Sequence, residues 1–400
     1  MDDNTMLNVW RVAGASVRGA VHAREGLPNQ DNMQWVPEIG DGPPLIATLS
    51  DGHGSRKCIR SHEGSRLAVI AATKVLQEFL NGRTEITNLA TLKHEAEQRL
   101  PKLLVRAWED EVRRHLAEDP ISRAELEGLL VSEGPGAHDT VSINPFIAYG
   151  ATLLAVVVEK DFLLYLQLGD GDILTVSESG EVCRPLPNDE RLFANQTTSL
   201  SARDAWRDFR IRFQPLNNPI PVLILLCTDG YANSFRDEES FLSVGPELLE
   251  KTRCAGLAAV NDRLAFWLDE TSKAGSGDDI SVVILKRIEE RDNDAIIQRL
   301  KQCENDIESS TVLQARIAAL ERGEAPAPVT PRTSTAPSEL QADRKRLAEL
   351  TRLARRGERE NAEITRLQER IAAWERGERP PQRPPRVEVS DEVKALRQQE

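Results

Sequence analysis

Two rhythms of apolar residues run through the first 288 positions. Short runs rich in Val, Ile, Leu and Phe, bounded by Gly, Asp and Asn, predict strands over 9–21, 45–50, 147–158, 162–168, 173–177, 209–213, 222–227 and 280–286. Apolar residues spaced by three and four predict helices over 63–80, 89–116, 122–130, 246–251 and 257–272. Ser122 followed by Glu125 has the form of a capping box. Lys160-Asp161 and Ser179-Gly180 read as hairpin turns, which predicts an antiparallel meander over 147–184. Strands and helices occur in blocks, not in strict alternation, so the expected class is α+β with antiparallel sheets.

Beyond residue 288 the rhythm changes. Ile296, Leu300, Cys303 and Ile307 recur at helical spacing, as do Ile364, Leu367, Ile371 and Trp374. The segment LQARIAALERGE at 313–324 returns as LQERIAAWERGE at 367–378, and 347–358 is a weaker third copy. The expected organisation is a body over 1–288, a helical extension over 289–324, a Pro-rich linker over 325–338 and a charged, coiled-coil-like, partly disordered tail over 339–400. Two readings of the tail stay open: plain charged amphipathic helices, or an array that docks a partner or self-associates.

Composition narrows the functional classes. The chain has 400 residues, 40% hydrophobic and 29% charged, enough for a sizeable core. Its net charge is −13, and the tail from 289 onward is nearly neutral with 21 basic and 22 acidic residues, so the acidity lies in the body. That balance disfavours a nucleic-acid partner. No apolar run approaches the roughly 20 residues of a bilayer span, so no membrane association is expected. The start, Met1-Asp2-Asp3-Asn4, lacks the apolar stretch of a signal peptide. The five cysteines show no C-x-x-C spacing. A cytoplasmic location is the expectation.

The candidate chemistry sits where strands end. The run 45–50 leads straight into Asp51-Gly52-His53-Gly54, 163–168 into Gly169-Asp170, and 222–228 into Asp229-Gly230; Asp278-Asp279 precedes 280–286, and Asn29-Gln30-Asp31 follows the first strand-like segment. Carboxylates gathered at strand ends repel one another and lose solvation. A hard divalent cation removes that cost, and an oxygen donor set without a Cys/His cluster selects Mg²⁺ or Mn²⁺. Two such ions can activate a water and clamp a phosphoryl group.

Six segments in order carry a family likeness: Asn29-Gln30-Asp31, Ser50-Asp51-Gly52-His53-Gly54, Gly150-Ala151-Thr152, Leu168-Gly169-Asp170, Cys227-Thr228-Asp229-Gly230 and Gly277-Asp278-Asp279-Ile280-Ser281. Together they resemble the metal-dependent PPM/PP2C serine/threonine protein phosphatases in a bacterial-like version. The resemblance covers about 9–287. It implies an αββα sandwich, two antiparallel sheets between helices, and hydrolysis of phosphoserine and phosphothreonine in proteins by a water bridging two Mn²⁺ or Mg²⁺ ions. By the same resemblance Asp51 bridges both ions, the Gly52 carbonyl binds one of them, Asp229 and Asp278 hold the other, and Asp31 acts through water. Asp170 matches a ligand of a weaker third ion, His53 a general acid, and Arg24 a phosphate-binding group. The implied partners are a phosphorylated protein substrate and a cognate Ser/Thr kinase.

Gln30 and Asn233 depart from the family pattern by replacing acidic residues. They motivate the alternative of a catalytically silent binding or scaffold protein acting through its tail. His22 lies where it could approach the site but reads as satisfied polar structure at a strand end, and His62 reads as a helix-capping residue. Asp172 and Asp279 read as facing away from the site, and Cys227 as core. The segments 134–144 and 187–206 are expected as surface flaps near the site.

Overall fold

The computed structural model describes residues 9–81, 88–186, 198–216 and 219–288. The extension, linker and repeats expected over 289–400 lie outside the described residues, as does 187–197 of the second expected flap. In chain order the strands are β1 (Trp10–Val17), β2 (Asn32–Val36), β3 (Asp41–Gly42), β4 (Leu45–Ser50), β5 (Leu153–Val158), β6 (Phe162–Leu168), β7 (Asp172–Val176), β8 (Val182–Cys183), β9 (Arg210–Pro215), β10 (Leu223–Cys227) and β11 (Ile280–Arg287). The helices are α1 (Ala20–Glu25), α2 (Ser61–Asn81), α3 (Leu89–Glu118), α4 (Arg123–Glu133), α5 (Pro135–Ile143), α6 (Asp229–Ala232), α7 (Glu238–Leu242), α8 (Val244–Ala255) and α9 (Leu257–Ala274).

The strands form two sheets, ordered β3-β1-β11-β10-β7-β8 and β2-β4-β5-β6-β9, and their pairings are antiparallel. The class is α+β, as expected. Alternation along each strand builds the layers. Ile224, Leu226, Val283 and Leu285 of the first sheet pack with Leu45, Leu49, Leu154, Val156 and Leu163 of the second, forming the inner core. Their neighbours Leu223, Leu225, Val282 and Ile284 face α8 and α9 through Leu248 and Leu264. Ile46, Ala155, Val157, Leu164 and Leu166 face α2 and α3 through Leu76, Leu104 and Trp108. These strands are buried at nearly every position because helices cover their second face.

Four expectations need correction. The predicted meander is split: β6 pairs with β5 and β9, whereas β7 pairs with β10 and β8. The chain changes sheets at Gly169-Asp170-Gly171, where Gly169 has φ +107, a conformation open to glycine and strained for other residues. The run 9–21 is strand only to Val17 and then turns into α1. Residues 147–149 belong to a 3-10 turn (Pro145–Tyr149), because Asn144-Pro145 precedes them and the Asn144 side chain accepts from the Phe146 amide. The first expected flap folds as α5, with Ala137 and Val141 buried.

Arg60, just ahead of α2, ties the helical layer together. Its buried guanidinium donates to Glu125 at 2.7 and 2.9 Å, to the Asp119 carbonyl at 2.6 Å, to the Pro120 carbonyl at 3.1 Å and to the Tyr149 hydroxyl at 2.9 Å. Glu125 lies well below the usual carboxylate range, pushed down to about 2 chiefly by this arginine. Removing one member of a buried, hydrogen-bonded charge pair costs about 3–5 kcal/mol. Urea unfolding at neutral pH should therefore show Arg60→Met destabilised by about 3 kcal/mol; a loss below about 1 kcal/mol would argue that the network contributes little.

Candidate metal centre

Antiparallel register brings the candidate residues to one end of the sandwich. Asn32 stands opposite Ser50, so Asp31 before β2 and Asp51 after β4 are neighbours. Cys227 stands opposite both Val282 and Asp172, so Asp229 lies where β11 begins, next to Asp278. A hydrogen bond joins the two sheets there: Thr228 Oγ1 donates to Asp31 Oδ2 at 2.9 Å. Thr228 Oγ1 also accepts from the Ser281 amide at 3.0 Å.

Small residues make the approach possible. Gly230 follows Asp229 in α6, and a Cβ placed there would lie 2.2 Å from the Asp279 carbonyl oxygen. No larger residue lets α6 sit this close to the start of β11. Gly52 forms an isolated bridge with Ala151, and its amide donates to the Gln30 carbonyl at 3.1 Å. Thr152 explains the Gly-Ala-Thr segment: its Oγ1 accepts from the Asp51 amide at 3.0 Å, and its own amide donates to the Asp51 carbonyl at 2.8 Å.

The electrostatics are those of acidic groups forced together. Burial, then the charges of Asp279 and Asp229, pushes Asp31 up to about 8 against the opposing hydrogen bonds from Ser281 and Thr228. Burial and the neighbouring Asp31 and Asp229 hold Asp51 well above the carboxylate range. Asp229 rises to about 6 through burial and the nearby Asp170, while a hydrogen bond between it and Asp51 works the other way. Among the described residues, no lysine or arginine lies within ion-pair distance of Asp31, Asp51 or Asp229. Asp31 Oδ1 is buried without a hydrogen-bond partner. Oxygen donors, missing counter-charge and an orphaned carboxylate oxygen fit a hard divalent cation.

The other expected residues fall in different places. Asp170 is exposed in the sheet-crossing loop, close enough that its charge acts on both His53 and Asp229. His53 is held by its amide, which donates to the Gly150 carbonyl at 3.0 Å, and its Nε2 is buried without a partner. Burial lowers its proton affinity, opposed by Asp170. Asn233 Nδ2 donates to Asp229 Oδ2 at 3.1 Å, so it braces that carboxylate. Gln30 acts through its backbone: its carbonyl accepts from Gly52 and Ser65, and its amide donates to Asp279. Arg24 is exposed on α1 and makes no hydrogen bond or ion pair among the described residues.

His22 and Asp279, the latter expected to face away from the site, lie together beside Asp278. Asp279 is buried and accepts from the Gly19 and Gln30 amides, each at 2.6 Å. His22 Nδ1 lies 2.9 Å from Asp279 Oδ2, and its Nε2 lies 3.6 Å from Asp278 Oδ1. The Asp279 contact raises the His22 proton affinity, against burial. The signal available for both was position alone: Asp279 adjoins Asp278, and His22 lies nine residues before Asp31.

A family model described as Protein phosphatase 2C matches residues 18–269, which contain Asp31, Asp51 and Asp229. The chain belongs to the protein phosphatase 2C family. Among solved structures, this phosphatase-family chain is similar to the catalytic domain of the serine/threonine protein phosphatase PstP in complex with two manganese ions, at 18% identity over 70% of this chain and 99% of that one, with a TM-score of 0.41. It is similar to the serine/threonine phosphatase Stp1 from Staphylococcus aureus at 16% identity, over 70% of this chain and 94% of that one, TM-score 0.43. PppA of Pseudomonas aeruginosa gives 16% identity, 70% and 98% coverage and a TM-score of 0.43. No curated protein matches the sequence.

Proposed function

We propose that this protein hydrolyses phosphoserine and phosphothreonine in proteins with the help of two Mn²⁺ or Mg²⁺ ions. The observation that carries the reading is the gathering of buried Asp31 with half-buried Asp51 and Asp229, their proton affinities raised and no lysine or arginine among the described residues within ion-pair distance. Family membership supports the reaction class. When bound, the ions supply positive charge to the phosphoryl oxygens and lower the pKa of a water.

The chain's own residues have separate tasks in this reading. Asp51, the Gly52 carbonyl, Asp229 and Asp278 hold the ions, and Asp31 orients water against them. Thr152 and Thr228 fix the Asp51 backbone and the Asp31 carboxylate by the hydrogen bonds described above. His53, whose buried Nε2 has no partner within the protein, gives a proton to the departing alkoxide oxygen in this reading. Asp170 favours the protonated ring and offsets part of the cost of burying that charge. Asp170 is also the candidate ligand of a weaker third ion.

The substrate in this reading is a phosphorylated protein, with a Ser/Thr kinase as the opposing activity and the region 289–400 as a docking or self-association element. No helix among the described residues is long and apolar enough to cross a membrane. Full-length protein should hydrolyse p-nitrophenyl phosphate and a phosphothreonine peptide with Mn²⁺ and fall to background with EDTA. Turnover that survives chelation would refute the metal-dependent reading.

A further inference from the structure

The arrangement of His22 has no place in the reading above. Helix α1 is fastened to the end of α9 and the loop before β11 by three hydrogen bonds: the Gly19 amide donates to Asp279 Oδ1 at 2.6 Å, the Ala20 amide to Ser272 Oγ at 3.1 Å and the Val21 amide to the Gly277 carbonyl at 2.8 Å. A Cβ on Gly19 would lie 2.3 Å from the Asp278 carbonyl carbon, so only glycine allows this approach. The effect is to hold the imidazole of His22, its side chain 13% exposed, over the pair Asp278-Asp279.

The two ring nitrogens then have different surroundings. Nδ1 is buried and lies 2.9 Å from Asp279 Oδ2. Nε2 faces Asp278 Oδ1 at 3.6 Å. One ligand atom from each of His22, Asp278 and Asp279 falls within 4.8 Å of the others. Two donors each about 2.1 Å from one ion stand about 3.0–3.6 Å apart for bond angles of about 90–120°. The Nε2–Oδ1 separation meets the upper end of that range. A carboxylate behind the other ring nitrogen is the usual way a protein orients a metal-bound imidazole.

We propose that His22 Nε2 is a nitrogen ligand of the metal centre, sharing an ion with Asp278, and that Asp279 is the positioning residue that turns the ring. The proposal rests on the reading of a metal-dependent phosphatase. It adds a donor that the oxygen-only set lacks and places it on α1, just past the expected strand 9–21. A mixed nitrogen–oxygen site binds Mn²⁺ in preference to Mg²⁺, because imidazole suits transition metals and Mg²⁺ favours oxygen.

Pulsed EPR on the full-length chain with stoichiometric Mn²⁺ tests this directly. The wild type should show the ¹⁴N modulation of a bound imidazole; His53→Ala should keep it and His22→Ala should lose it. Calorimetry with Mn²⁺ and Mg²⁺ separately supplies a second readout. His22→Ala should weaken Mn²⁺ binding about 10–100-fold and Mg²⁺ binding less, so that the preference for Mn²⁺ shrinks. A purely structural role would weaken both ions alike and overturn the proposal. Tight Mn²⁺ binding by the wild type without imidazole modulation would also overturn it, whether or not the variant folds, while leaving the phosphatase reading intact. No Mn²⁺ binding by the wild type would sink both.

Discussion

Asp51→Asn should abolish metal-dependent phosphatase activity and, at the same time, make the metal-free protein harder to melt at pH 8. The first effect follows from removing the carboxylate placed between Asp31 and Asp229, whose charges act on it most strongly after burial. Losing about 4 kcal/mol of transition-state stabilisation corresponds to about 10³-fold in kcat/KM. The second effect follows because the same carboxylate is buried among acids without a cation, so its ionisation opposes folding. A neutral amide of the same shape lacks that burden. Phosphatase assays with saturating Mn²⁺ and thermal melts in EDTA read the two signs independently. Retained turnover would dispose of the proposed ligand role; a lower melting temperature in EDTA would show that Asp51 supports the fold instead of straining it.

The metal-free protein should lose stability as pH rises from about 4 to about 8, the reverse of a protein held by paired carboxylates. Asp31 is raised to about 8 and Asp229 to about 6, from an ordinary value of 3.8. A group that binds its proton more tightly when folded contributes stability below its unfolded pKa. That stability is lost as pH climbs through the folded value. The expected fall in melting temperature between pH 5 and pH 8 in EDTA is about 5–10 °C. Mn²⁺ should reverse it, because the ion binds the folded state and binds best once its ligands are ionised. The upward shift produced by Mn²⁺ should therefore be larger at pH 8 than at pH 5. A melting temperature that stays level across this range without metal would mean that the acidic cluster does not govern stability.

These two results concern residues that the sequence displays openly. Asp51 and Asp229 each adjoin an apolar, buried strand, where a surface turn would not need so buried a neighbour, and Asp31 follows the first strand-like segment. The strands 45–50 and 162–168 and the long helices were legible for the same reason: sustained runs and helical spacing survive whatever surrounds them. Short elements were not. The expected strand runs on through Ala20 and Val21, yet the backbone turns there into the six-residue α1 to meet the loop before β11. That turn sets His22 beside Asp278 and Asp279. On a helix, residues two apart point about 200° away from each other, so when His22 faces Asp278 and Asp279, Arg24 faces solvent.

By itself, then, the order of residues determined the α+β class, the strand ends that carry the acids, and membership of the protein phosphatase 2C family. Only the tertiary structure decided which sheet each strand joins and which polar groups meet. Asp279 and Gly19 are 260 positions apart and come into contact only because β1 and β11 pair side by side. The physical reason is one of range: periodicity and turn chemistry act over a few residues, whereas register and close backbone approach are settled by packing between segments that share no local signal.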